Sequence, residues 1–192
     1  MTQSIQKKEF SMDFAATDFK DLYIIKPKIF GDSRGYFFES FRDDLFKKHI
    51  GDITFIQDNE SKSSYGVLRG LHYQLPPFAQ SKLVRVVVGE ILDVAVDIRK
   101  NSSTFGKHFK IILSDENKLQ LFIPKGFAHG FIVLSDFAIV NYKVDAFYSP
   151  EHERGVDAFD PFLGIDWTVP QEKTLRSPKD SILPQLKDAV LL

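Results

Sequence analysis

The chain has no cysteine among its 192 residues. Disulfides, thiolate metal ligands and a cysteine nucleophile are therefore excluded, and the composition suits a reducing compartment, so a cytoplasmic protein is expected. Net charge is equally scant: 25 Lys and Arg stand against 26 Asp and Glu, a formal charge of −1. No broad field draws such a chain to nucleic acid or to an anionic membrane, so neither is expected as a partner, and any phosphate must be met by local Arg and Lys. Long apolar runs are missing too. The opening MTQSIQKKEFSMDF lacks the apolar stretch of a signal peptide, and no segment approaches the ~20 apolar residues that span a bilayer. Repeats and low-complexity linkers do not occur, so residues 1–192 read as one domain.

What is present is β pattern and rings. There are 19 Phe, and aromatic residues make up 14% of the chain. Such rings fill a wide barrel interior and stack on sugars and bases, although plain core packing accounts for most of them. KLVRVVV at 82–88 is followed by Gly89-Glu90 and then by ILDVAVDIR at 91–99. In the second run Leu92, Val94, Val96 and Ile98 share one face while Asp93, Ala95 and Asp97 share the other. Period-2 alternation across a Gly turn predicts a hairpin. Further strands are predicted at 108–113, 119–124, 131–134 and 137–144. Helix signals are few. Ser40, with Asp43 three residues on, predicts a cap for a short helix over FRDDLFKKHI that ends at Gly51. Ser177-Pro178-Lys179-Asp180 reads as N-cap, Pro at the first helical position and an acid in the first turn. The fold class is all-β, an antiparallel barrel or jelly roll with a few short peripheral helices.

Of the 5 histidines, His49 and His108 lie in charged surroundings and His152 in a loop-like PEHERG. His72, in VLRGLHYQ, and His129, in IPKGFAHGF, differ. Pro124, Gly126 and His129 give the spacing P-x-G-x-x-H, and a Pro-Gly turn that delivers a His to a strand is a feature of cupin jelly rolls. In metal cupins that His is one ligand of several. Here Tyr73 and Gln74 follow His72, so the second His of an H-x-H ligand pair is missing, and no Glu comes before Glu90. Transition metals require more donors than this, so no metal is expected.

GDSRGYFFESF (31–41), QDNESKS (57–63), VLRGLHYQ (67–74), the long run at 82–106, IPKGFAHGF (123–131), NYKVDAFYSPE (141–151), GIDW (164–167) and SPKD (177–180) together resemble the dTDP-4-dehydrorhamnose 3,5-epimerase family. The resemblance covers roughly residues 20 to 190 and implies a cupin-type jelly roll assembled as a homodimer. Residues 1–19 would then precede the family's usual start as an N-terminal arm. It implies epimerisation at C3 and C5 of dTDP-4-dehydro-6-deoxy-D-glucose, without cofactor. The chemistry is coherent, because both C–H bonds are acidic beside the C4 ketone, which is its own electron sink. A base on one face, an acid on the other and a cation near O4 suffice.

By the resemblance, His72 is the base, Asp180 its carboxylate partner, Tyr142 the acid and Lys82 the cation, with Arg69 beside it. His129 would hydrogen-bond the sugar or diphosphate, and Tyr148 would stack on the thymine. Gln57, Asp58 and Asn59 would contact the ligand at the barrel mouth, with Glu153 and Lys179. Arg34 and Glu39 match residues supplied across the dimer interface. Glu151 is a neighbour of the same type as Glu153. Without the resemblance, Asp180 reads as a helix N-terminal acid and Tyr142, which shares a strand face with Ala138, Val140 and Val144, as a core tyrosine. Lys82 and Arg69 read as rim charges, His129 as a satisfied histidine, and the remainder as solvated loop groups. Rival readings are an epimerase that inverts one centre or acts on a different base or sugar, a metal-dependent cupin enzyme, and a non-catalytic sugar-nucleotide binder.

Overall fold

The computed structural model describes residues 12–191. Its first half runs β1 (Met12–Ala16), β2 (Tyr23–Pro27), β3 (Phe30–Asp32), β4 (Gly35–Phe37), α1 (Asp43–His49), β5 (Gln57–Ser64) and β6 (Leu68–Gln74). The second half adds β7 (Lys82–Val88), β8 (Glu90–Asp97), β9 (His108–Ser114), β10 (Gln120–Ile123), β11 (Phe127–Val133), β12 (Phe137–Val144) and β13 (Glu153–Gly155). Two facing sheets carry the fold, one in the order β1-β2-β10-β7-β12-β5 and the other β13-β6-β11-β8-β9, while β3 and β4 form a separate hairpin. The strands of both sheets pair antiparallel. This is the jelly roll that the family resemblance implies, one of the two architectures that the strand pattern allows. Among the described residues no helix is long and apolar enough to cross a membrane.

The predicted hairpin at Gly89 is not formed. β7 pairs with β10 and β12, whereas β8 pairs with β11 and β9 in the other sheet. Gly89 is a corner between sheets, with φ of +83° and Phe137 O only 2.2 Å from where a Cβ would stand. The cause is burial on two faces. Leu92, Val94 and Val96 of β8 pack under Val156, Leu163 and Trp167 from the C-terminal segment. Ile91 and Ala95 pack between the sheets with Val84, Leu121 and Val140. A two-stranded ribbon would leave one of those faces wet, and each fully buried aliphatic side chain contributes about 1.5–3 kcal/mol.

Phenylalanines gather both inside the barrel, where Phe127 and Phe131 are buried with Phe19 and Phe109 against them, and outside it. Phe46, the buried face of α1, meets Phe14, Phe55 and Phe122 edge-on and Phe41 at a tilt, on the outer side of the six-stranded sheet. Asp43 and Asp44 open this helix and Lys47, Lys48 and His49 close it, matching the helix dipole. Ser40 does not cap it. Arg42 occupies the N-cap without a side-chain cap, and the Ser40 carbonyl is taken by the Gln120 amide at 2.9 Å. The Ser177 cap is present, its Oγ accepting the Asp180 N–H at 3.1 Å, but the helix it opens is one 3-10 turn, Asp180–Ile182. Of the N-terminal arm expected at residues 1–19, 1–11 lie outside the described residues. Met12–Ala16 is the outermost strand of the six-stranded sheet, and Met12 is buried.

Candidate active site

The two informative histidines come together because β6 and β11 are neighbours in which His72 stands directly opposite His129. Two glycines make the approach possible. A Cβ on Gly70 would meet Gly130 Cα at 2.6 Å, and one on Gly130 would meet Arg69 O at 2.6 Å. The bulge between His129 and Phe131 turns Arg69 toward the same space.

Each imidazole has a carboxylate. His72 Nε2 is hydrogen-bonded to Asp180 Oδ1 at 2.8 Å, and Asp180 Oδ2 lies 3.5 Å from the Gly70 N–H. Burial pushes the Asp180 carboxyl up. The hydrogen bond and charge of His72, helped by Gly70 and Ser177, outweigh it and hold the group below its ordinary value. His129 Nε2 is hydrogen-bonded to Asp93 Oδ2 at 2.9 Å, and that pair is buried. Burial lowers the His129 pKa against the pull of Asp93, with Lys82 and His72 adding to the lowering. Its ring is therefore neutral at neutral pH.

The opposing sheet supplies Lys82 on β7 and Tyr142 on β12. Burial pushes the Lys82 ammonium down to about 8, although Asp93 and Glu153 pull it up, and its Nζ donates to the His72 carbonyl at 3.4 Å. Tyr142 shares its inward face with the buried Ala138, Val140 and Val144. Burial raises its phenol pKa, against a smaller lowering by Arg69, so it carries its proton at neutral pH. Among the described residues its hydroxyl has no hydrogen-bond partner. Arg69 Nε donates to Ser63 Oγ at 3.0 Å.

These groups line one cavity of about 450 Å³, bounded also by His129, Lys179, Asp180, Ser61, Arg176 and Ser177. A second hollow of about 230 Å³ shares His72, Lys82 and Tyr142 and extends to Gln57, Asn59, Tyr148 and Glu153. Glu153 rather than Glu151 faces it. Burial raises the Glu153 carboxyl, but the hydrogen bonds from Lys179 and Tyr148 dominate and lower it. Tyr148 also donates its backbone N–H to Gln57 at 3.2 Å.

Three expected ligand contacts lie elsewhere. Asp58 points to the outer face of β5, where it accepts from Lys143 at 2.9 Å, because neighbours Gln57 and Asn59 take the inward positions. Arg34 sits on the exposed β3–β4 hairpin, held by Asp32 at 2.7 Å, and Glu39 is paired with Arg42 at 3.5 Å. Neither lines this cavity in its own chain. Asp93 is the group that sequence reasoning missed. Its signal was an acid amid the apolar run Ile91–Val96. Among the described residues no group of three or more His, Cys, Asp and Glu could hold a metal ion.

A jelly roll whose cavity brings together a carboxylate-backed imidazole, a phenol and a buried lysine has the architecture of a cupin. The family model for dTDP-4-dehydrorhamnose 3,5-epimerase matches residues 16–188. The chain belongs to that family and is an isomerase. It is 55% identical over 170 residues to the dTDP-4-dehydrorhamnose 3,5-epimerase of Shigella flexneri, covering 88% of this chain and 93% of the relative. The crystal structure of that enzyme from Elizabethkingia anophelis superposes with a TM-score of 0.89 at 50% identity, over 92% of this chain and 97% of the other. The Legionella pneumophila dTDP-6-deoxy-D-glucose-3,5-epimerase, solved with dTDP-4-keto-L-rhamnose, gives 0.89 at 49%, over 93% and 94%.

Proposed function

We propose that this isomerase inverts C3 and C5 of dTDP-4-dehydro-6-deoxy-D-glucose to give dTDP-4-dehydro-L-rhamnose, a step of dTDP-rhamnose biosynthesis. The observation that carries the reading is that His72, backed by Asp180, and Tyr142 project from opposed sheets into one cavity. His72 removes the proton α to the ketone, and the electron pair moves onto O4. The charged Lys82 and Arg69 stabilise the enolate oxygen. Tyr142 returns a proton to the opposite face of the carbon, and the sequence repeats at the second centre. Asp180 holds the imidazole in one tautomer and balances its charge.

The nucleotide half fits the second hollow, with Tyr148 stacked on the base and Gln57, Asn59 and Glu153 as polar contacts, while His129 and Lys179 meet the ligand from the first cavity. In this reading a cytoplasmic homodimer completes the site, each subunit lending Arg34 and Glu39 to the other. The Legionella complex with a dTDP-4-keto sugar supports the substrate class.

Incubation with the 4-keto substrate in deuterated buffer tests the proposal. Deuterium is expected at both C3 and C5. Incorporation at one centre would make this a single-centre epimerase, and none at either would overturn the reading. Tyr142→Phe is expected to keep exchange while blocking net inversion.

A further inference from the structure

Asp180 has little local support. A 3-10 turn of one round has poor hydrogen-bond geometry and no length from which to draw cooperativity, so its position must be imposed from outside. Two fastenings do this. On the entry side, Leu175 exchanges backbone hydrogen bonds with Gly66 O at 2.8 Å and the Leu68 N–H at 2.9 Å, so the segment starts beside the first residues of β6. The second fastening grips both ends. Asp157 Oδ1 accepts from Arg176 Nη1 at 2.8 Å, just before the turn, and the Asp157 backbone N–H donates to Pro184 O at 2.8 Å, just after it. Asp180 lies midway between those two contacts.

The grip is itself rigid. Asp157 Oδ1 also accepts the Phe159 N–H at 3.2 Å, and the Arg176 guanidinium lies 4.9 Å over the Phe159 ring. Both members of the ion pair are mostly shielded, with side-chain exposures of 18% for Arg176 and 28% for Asp157. Asp157 lines neither hollow of the site. Any effect it has on the reaction must pass through what it holds.

We infer that Asp157 is a positioning residue that brackets the Ser177–Pro184 segment through Arg176 and so holds Asp180 against His72. The inference rests on the reading of His72–Asp180 as the base. Asp157→Ala is expected to lower kcat on the order of tenfold, as a displaced catalytic partner does, with the rate of solvent deuterium exchange falling in parallel. KM should stay within about twofold, because Asp157 itself lines neither hollow. Asp157→Asn, which keeps an acceptor for Arg176, is expected to recover most of that loss. In an Asp180→Asn background, Asp157→Ala should change kcat by less than about twofold, since residues that act through one another are not additive.

A loss in the Asp180→Asn background equal to that in the parent would overturn the inference, as would an unchanged kcat in Asp157→Ala. Should Asp157→Ala not fold, Asp157→Ser, which withdraws the side chain from Arg176 while keeping an oxygen for the Phe159 N–H, is read by the same cycle. An Asp180→Asn enzyme with full kcat would bring down the base assignment instead. A slow Asp180→Asn beside a fast Asp157→Ala would bring down only the role of Asp157.

Discussion

His72–Asp180 and His129–Asp93 are the same chemical pair built in two ways. In the first, the carboxylate arrives on a single turn from the far end of the chain, and the imidazole keeps 28% of its side chain exposed. In the second, both partners sit on adjacent central strands, and Asp93 is wholly buried. A strand-held pair is fixed by the ladder and gives up solvation for rigidity. A turn-held pair stays open to substrate and depends on its fastenings. In the proposed mechanism the base belongs on the open pair, because a proton acceptor must be reached, and the buried imidazole suits a fixed hydrogen-bonding wall.

The largest expected effect separates the two imidazoles. His72→Ala should lower kcat by about 10²–10⁴ and abolish exchange of solvent deuterium into the sugar, the usual worth of a general base. His129→Ala should cost only roughly tenfold, the value of one hydrogen bond, and should retain exchange. Equal losses in the two variants would erase the distinction.

The carboxylates come next. Asp180→Asn should lower kcat on the order of a hundredfold while leaving the melting temperature nearly unchanged. Asp93→Asn should instead reduce unfolding free energy by about 2 kcal/mol, the range for a hydrogen bond to a buried charged group, as read by denaturant melts.

The smallest effect concerns the cation that both pairs surround. Burial brings the Lys82 pKa down to about 8, so its ammonium is lost as pH rises through that value. Enolate stabilisation requires the charged form, and kcat should fall on the alkaline side of about 8. Lys82→Arg should move that limb out of the measurable range, since a guanidinium keeps its proton. A limb that stays in place would assign it to another group.

The strands that pack on apolar neighbours were legible, because period-2 alternation survives in β8, β9 and β12. Pairing was not. The same alternation in β7 and β8 fits a hairpin or two sheets, and only the identity of the material covering each face decides. β5 escaped notice as a strand because QDNESKSS is polar on both sides: its inward residues face a cavity and its outward ones face solvent. For the same reason the motif could not show that Asp58 faces away from the site while Gln57 and Asn59 face into it. His72, Tyr142, Lys82 and Asp180 were reached through family resemblance, and they do line one cavity. Asp93 was visible only as an acid out of place.

Gly70 and Gly130 lie where β6 and β11 all but touch. A single methyl group at either position has nowhere to go, so the strands would separate and carry the two imidazoles apart with them. The reach between the base and its neighbouring wall is thus written in hydrogens, and even alanine, the mildest of changes elsewhere, would be among the harshest here.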